Sequence, residues 1–100
     1  MFRTDVVESA ALAQLSGQLT FMEHEKFRDV SLKLLGVPGT KVTLDFSNVD
    51  FIDSAGLGML LFFREEMAGA GRSLCLANAK GQVSRMFSLS KFRSLFEIIG

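Results

Sequence analysis

Leu44-Asp45-Phe46-Ser47-Asn48-Val49-Asp50-Phe51-Ile52-Asp53-Ser54-Ala55-Gly56-Leu57-Gly58 is the stretch whose reading settles the fold class. Its leading segment, Lys41 to Phe46, is rich in β-branched and apolar residues, which predicts a central strand covered on both faces. Ser47-Asn48-Val49-Asp50 has loop chemistry. A helix is expected to start near Asp53-Ser54 and to run through GLGMLLFFREEMA until Gly69 and Gly71 end it. A strand, an acidic loop and a serine at a glycine-bearing helix start thus follow one another directly. A serine in the first helical turn lies among backbone N–H groups with no intrahelical partner, at the positive end of the helix dipole.

On the N-terminal side, Thr4 to Glu8 and Ala10 to Ser16 are short apolar-leaning runs that read as a strand or hairpin up to Gly17. The run MEHEKFRDVSLKLL, with Phe27, Val30 and Leu34 at helical spacing and the pairs Glu23/Lys26 and Glu25/Arg28 outside, reads as an amphipathic helix. Gly36, Pro38 and Gly39 stop it. On the C-terminal side, Ser73 to Ala77 reads as a strand, Gln82 to Leu89 as a helix with Val83, Met86 and Phe87 on one side, and Leu95 to Ile99 as a short final strand. The order predicts one α/β domain over residues 1–100, with a mixed, mostly parallel sheet of four to five strands and helices packed on it.

Composition narrows the function. One hundred residues with 48% hydrophobic content suffice for one self-supporting core, and large multi-step enzymes are excluded by size. Eleven basic against eleven acidic residues give no net field to hold a polyanion, which argues against nucleic acid. Cys75 has no second cysteine to pair with, and His24 is the only histidine, so no metal-ligand cluster is expected and a reducing cytoplasm fits best. No secretion signal is visible at the N-terminus, and the apolar run Leu57 to Phe63 is far shorter than the ~20 residues that span a bilayer. A soluble domain is expected.

LDFSNVDFIDSAGLG closely resembles the signature of the STAS domain, the fold of anti-sigma factor antagonists and of the cytoplasmic tails of sulfate transporters. In that family an apolar strand ending D-hydrophobic-S is followed by a spacer and I-D-S-[SA]-G-L-G. The likeness also takes in the early L-S-G-Q-L-T turn, the strand SLCLAN and the MFSLSKFRSLFEI ending, nearly the whole chain. The resemblance implies the STAS fold and a phosphorylation-controlled partner-switching regulator, not an enzyme. Ser54 matches the serine that a partner kinase modifies. Asp53, Asp50 and Asp45 would support that site, Asp53 by orienting the Ser54 hydroxyl or the metal of the kinase nucleotide. Ala55, Gly56, Leu57, Gly58, Met59, Phe62 and Thr20 would meet the partner, the two glycines by letting its backbone come close.

Other readings of these residues are blander. Asp53 or Ser54 can serve as a helix cap, and Asp45 and Asp50 can serve turn hydrogen bonding or solvation. A Ser-His-Asp triad would need His24, which sits in the charged run EHEKFRD, a solvated helix face. GVPGTK lacks phosphate-loop spacing and is a turn, and Cys75 reads as an inert core residue. Lys80, Arg85, Lys91 and Arg93 outnumber Glu97 and read as a solvated basic surface. In the second helix, Leu57, Leu60, Leu61 and Met67 are expected to face the sheet, leaving Met59, Phe62 and Phe63 partly outside as a docking patch beside Ser54.

The chain departs from the family pattern at Gly17-Gln18-Leu19-Thr20, where many antagonists carry the acidic G-E-L-D, and it reaches Gly100 soon after the last strand, without the terminal helix of many members. The implied partners are an anti-sigma protein and serine kinase of the histidine-kinase-like ATPase type, which uses ATP and Mg, and a serine phosphatase. No cofactor is expected on this chain, and a monomer or weak dimer is. The alternative is a STAS subunit of a membrane lipid-transport ABC assembly, in which Ser54 is structural or regulatory. A nucleotide sensor is a third reading without a phosphate-binding loop to support it.

Overall fold

The computed structural model describes residues 1–100. The chain opens with an antiparallel hairpin of β1 (Arg3–Val7) and β2 (Leu12–Leu19). A 3-10 turn over Glu8–Ala10 and Ala11 in the left-handed region, φ 49°, reverse the chain between them. A second 3-10 turn, Phe21–Glu23, leads into α1 (His24–Leu35). There follow β3 (Lys41–Ile52), α2 (Ser54–Gly69), β4 (Ser73–Ala77), α3 (Gly81–Leu89) and, after a 3-10 turn at Phe92–Ser94, β5 (Glu97–Ile99). The sheet order is β1-β2-β3-β4-β5, with every pair after the hairpin parallel. The mixed, mostly parallel sheet with packed helices read from the sequence is the observed architecture.

Several expectations need correction. First, Ser47-Asn48-Val49-Asp50 is strand, and β3 runs unbroken for 12 residues. Two register shifts against β2, between Gln14 and Ser16 and between Gly17 and Gln18, let Phe46, Val49 and Ile52 stay buried at three-residue spacing. The polar residues between them face outward, so their turn-like composition is misleading. Asp50 accordingly sits exposed on the strand and not in a loop. Second, β3 is covered on one face only. Val42, Leu44 and Phe46 join Ala13, Leu15, Leu74 and Leu76 in the core, whereas Thr43 and Asp45 remain part-exposed. The helices supply Phe27, Leu34, Leu60, Phe63, Val83 and Phe87 to that same core.

Third, the buried stripe of α2 is Gly56, Leu57, Leu60, Phe63 and Met67. Phe63, expected partly outside, is 1% exposed and meets Phe27 of α1 edge to face at 6.0 Å, while Leu61 turns outward. The helix is apolar nearly all round, so its periodicity alone could not choose a face, and α1 made the choice. The start of α1 also shifts, from Met22 to His24. At its other end Arg72 secures the loop that leads to β3. Its guanidinium donates to the carbonyls of Leu34 and Leu35 at 3.0 Å each, of Val37 at 2.6 Å and of Gly39 at 2.7 Å. They lie at the end of a helix and in an irregular loop, where backbone donors run short, although the Leu34 carbonyl also accepts the Val37 N–H at 3.2 Å.

Candidate functional site

Asp53 holds the junction between β3 and α2 together. It takes extended dihedrals, φ −103° and ψ −179°, and its Oδ1 accepts the Gly56 N–H at 2.7 Å, the geometry of a helix N-cap. Oδ2 accepts the Phe21 N–H at 3.3 Å, and its own N–H donates to the Leu19 carbonyl at 3.3 Å. One residue therefore joins the start of α2 to the end of β2 and to the turn after it. Capping falls to Asp53 and not to Ser54. Ser54, the first residue of α2, is exposed, and its hydroxyl makes no hydrogen bond within the chain. Both Asp53 carboxylate oxygens serve backbone N–H groups, and no hydrogen bond joins Asp53 to that hydroxyl.

Gln82 reinforces the same junction from α3. Its carboxamide accepts the Ile52 N–H at 2.9 Å and donates to the Ile52 carbonyl at 2.8 Å. It acts as a one-residue substitute for the neighbouring strand, since β4 ends at Ala77 opposite Asp45. Nothing in the sequence singles out Gln82, because its role exists only where the tertiary fold leaves a strand end unpaired.

The structure gathers some of the expected site residues and separates others. Thr20, part-buried in an extended conformation, stands between Leu19 and Phe21, both bonded to Asp53, and so lies at the site. Ala55 and Met59 are part-exposed, Gly58 is exposed and Phe62 is 60% exposed. Gly56 and Leu57 are buried. The reason for glycine at position 56 is internal, because a methyl group there would overlap the Leu19 carbonyl oxygen and lie 2.7 Å from Cγ1 of Ile52. At Gly58 an added methyl would meet nothing.

Asp45 stands seven residues before Ile52 on the extended strand, roughly 20 Å along it, and does not reach Ser54. No three acidic, histidine or cysteine side chains come together as a metal site. Phe21 and Met22, 63% and 82% exposed, and Phe51 add apolar surface near Asp53 that the sequence reading missed. The signal available was that Phe21 and Met22 do not fit the spacing of the helix that follows. His24 is exposed, stacked on Phe21 at 4.8 Å between ring centres, with Nδ1 2.9 Å from the Phe21 carbonyl. No hydrogen bond joins it to Ser54 or to an aspartate, so no triad is formed.

Charge elsewhere is local. Desolvation works to raise the Asp45 carboxyl, but hydrogen bonds from the Ser47 N–H and hydroxyl and from Asn78 outweigh it and hold the group below its ordinary 3.8. A depressed folded-state value stabilises the fold above about pH 4, and that contribution is lost as pH falls through the folded value. Asp45→Asn should therefore cost about 1 kcal/mol at pH 7, with the difference from wild type narrowing as pH falls below the ordinary carboxylate range and through the folded value, as read from urea unfolding over a series of pH values. Burial pushes the Cys75 thiol up, with Glu97 adding to the effect, as suits an unreactive core cysteine. No helix is long and apolar enough to cross a membrane.

Comparison with known proteins agrees with this geometry. The family model described as "Mlab, STAS domain" matches residues 2–97. A STAS-domain containing protein of Pseudomonas aeruginosa is 33% identical over 85 residues, 85% of this chain and 83% of that protein. BtrV of Bordetella bronchiseptica, named as an anti-sigma factor antagonist, is 26% identical over 94 residues, 94% of this chain and 81% of BtrV. Among solved structures, the Thermotoga maritima protein TM1081, titled as an anti-sigma factor antagonist, superposes with a TM-score of 0.79 at 22% identity, covering 100% of this chain and 86% of that one. The Bacillus cell fate determinant SpoIIAA in its phosphorylated form gives 0.68 at 20% identity, covering 98% and 90%. The likeness to these two structures is one of fold. With its domain matched over nearly its whole length, its sheet order and its serine-bearing strand-to-helix junction, this chain belongs to the STAS-domain family and has the fold of the anti-sigma factor antagonists.

Proposed function

We propose that this chain is a phosphorylation-controlled partner-switching regulator. With Ser54 unmodified it binds an anti-sigma protein that is also a serine kinase of the histidine-kinase-like ATPase type. With Ser54 phosphorylated it lets that partner go. The kinase supplies ATP and Mg, a serine phosphatase restores binding, and this chain contributes surface and a phosphoacceptor but no catalysis. The observation that carries the reading is the division of labour at the start of α2, where Asp53 caps the helix and leaves the Ser54 hydroxyl exposed and unengaged.

The physics of the switch follows from position. A phosphate on Ser54 adds roughly 1.5 to 2 negative charges at a helix N-terminus, where the fold tolerates them. The same charge placed under a docked partner, beside Asp50 and Asp53, must be desolvated without a cation supplied by this chain. Folding is spared and binding suffers.

The test uses wild type, Ser54→Ala and Ser54→Asp as baits in a lysate of the source organism, with captured proteins identified by mass spectrometry. All three should unfold within about 1 kcal/mol of one another. Wild type and Ser54→Ala should hold a kinase-like ATPase, and Ser54→Asp should hold it roughly a hundredfold more weakly. Equal retention by all three sinks the switch, and an ABC-type ATPase held equally by all three selects the transport-assembly reading instead.

A further inference from the structure

β1 is a free edge of the sheet, paired with β2 on one side only. The opposite edge, β5, has three residues, and its Glu97 is held by Lys41 at 2.7 Å. β1 has five residues and no proline, and beyond its ladder with β2 no hydrogen bond reaches Arg3 to Val7. Its outer N–H and C=O groups are therefore a template for another strand. Phe2 and Val6 point to the helix side and contribute to the core, and Thr4 shares that face by alternation. Arg3, Asp5 and Val7 lie on the other face, all exposed, and neither Arg3 nor Asp5 forms an ion pair within the chain. Met1, 89% exposed, and Phe2 prolong the strand, since their backbone still runs beside Gly17 of β2.

We propose that this edge pairs antiparallel with β1 of a second copy, about a twofold axis through Thr4, so that two five-stranded sheets become one continuous sheet. Charge complementarity selects both the occupant and the register. On an edge strand alternate residues turn their N–H and C=O groups outward, so only residues of like parity face one another across an antiparallel pair. Centring the pair on Arg3 sets Arg3 against Arg3, and centring it on Asp5 sets Asp5 against Asp5, both repulsive. Centring it on Val6 sets Asp5 against Val7 and Arg3 against Ser9, which leaves both charges unpaired. Centring it on Thr4 sets Arg3 opposite Asp5 on both sides of the axis, with Thr4 opposite Thr4, Phe2 opposite Val6 and the exposed Met1 opposite the exposed Val7. Opposite charges, paired threonines and paired apolar side chains all stabilise neighbouring strands. Like charges would have protected the edge by repulsion, whereas opposite charges two residues apart make it complementary to itself. The axis stands perpendicular to the sheet, so the helices of both copies stay on one face. Ser54, past the end of β3 and two strands in from this edge, lies off the contact, and the proposal does not depend on the partner-switching reading.

The experiment is sedimentation of the full chain at concentrations up to about 1 mM, where a contact this small should give a reversible dimer with a Kd on the order of 100 μM, weakened by added salt. Arg3→Asp and Asp5→Arg each gather like charges across the axis and should raise that Kd at least tenfold. Both substitutions fall on exposed side chains, so both variants should melt close to wild type. Mixed in equal amounts, the two folded variants should pair with each other about as tightly as wild type pairs with itself, because each then faces the other's opposite charges. Amide NMR shifts on dilution should be confined to Met1 to Val7 and their neighbours on β2. A wild type that stays monomeric throughout, either variant dimerising undiminished, or a mixture of the folded variants that stays monomeric would each overturn the proposal.

Discussion

Gly56→Ala is expected to destabilise the chain by about 3 to 4 kcal/mol and to lower Tm by roughly 12 to 30 °C, at the upper end of what a single methyl group does. The intruding Cβ would overlap the Leu19 carbonyl oxygen and press on Ile52 Cγ1 at 2.7 Å. Neither can yield cheaply. The Leu19 carbonyl accepts the Asp53 N–H, and Ile52 is a fully buried strand residue clamped at both backbone groups by Gln82. Relief would require lifting the first turn of α2 off the ends of β2 and β3, which breaks the cap at Gly56 and moves Ser54. Gly58→Ala, two residues further along the helix and in open space, should instead gain about 0.5 to 1 kcal/mol from helix propensity. Thermal melts of the two variants side by side check the contrast, and comparable losses in both would remove the steric explanation.

Arg72→Ala should cost about 3 kcal/mol, and Arg72→Lys most of that. One guanidinium serves four carbonyls, of Leu34, Leu35, Val37 and Gly39, and no lysine has enough donors in a fixed fork to replace it. Removing it leaves the C-terminal carbonyls of α1 and those of the following loop to part-buried surroundings, and the positive charge that faced the negative end of the helix dipole disappears. Because the loop leads directly into β3, urea unfolding should show a lower midpoint at unchanged slope. Hydrogen exchange should be fastest at Leu34 to Thr40. A Lys variant as stable as wild type would mean that charge alone, not the fork, holds the loop.

Neither of these residues draws attention in the sequence for the role it plays. Gly56 is legible as part of a motif, but the motif suggested close approach by a partner, whereas the carbonyl that requires glycine comes from Leu19, far earlier in the chain. Arg72 follows a glycine and precedes a strand, a position that carries no local signal at all. Gln82 is similar, since its only distinction is the unpaired end of β3 that tertiary folding sets in front of it. Phe63 was misplaced because an apolar helix with little amphipathic bias has no preferred face until α1 packs against it. The strand content of Ser47 to Asp50 was hidden for a related reason, as bulges against β2 allow polar residues to alternate irregularly with buried ones.

The order and type of the elements, the mostly parallel layered architecture, the family signature and the position of Ser54 at a helix start are all legible without the fold. All of these are encoded over short spans, in apolar spacing, stop residues and a motif of about fifteen residues. It took the folded chain to settle which face of α2 is buried, that Asp53 and not Ser54 caps it, that Asp45 stands away from the site and that a groove between α1 and α2 opens beside it. Those outcomes depend on residues distant in the chain meeting at one point, and short-range physics carries no record of such a meeting.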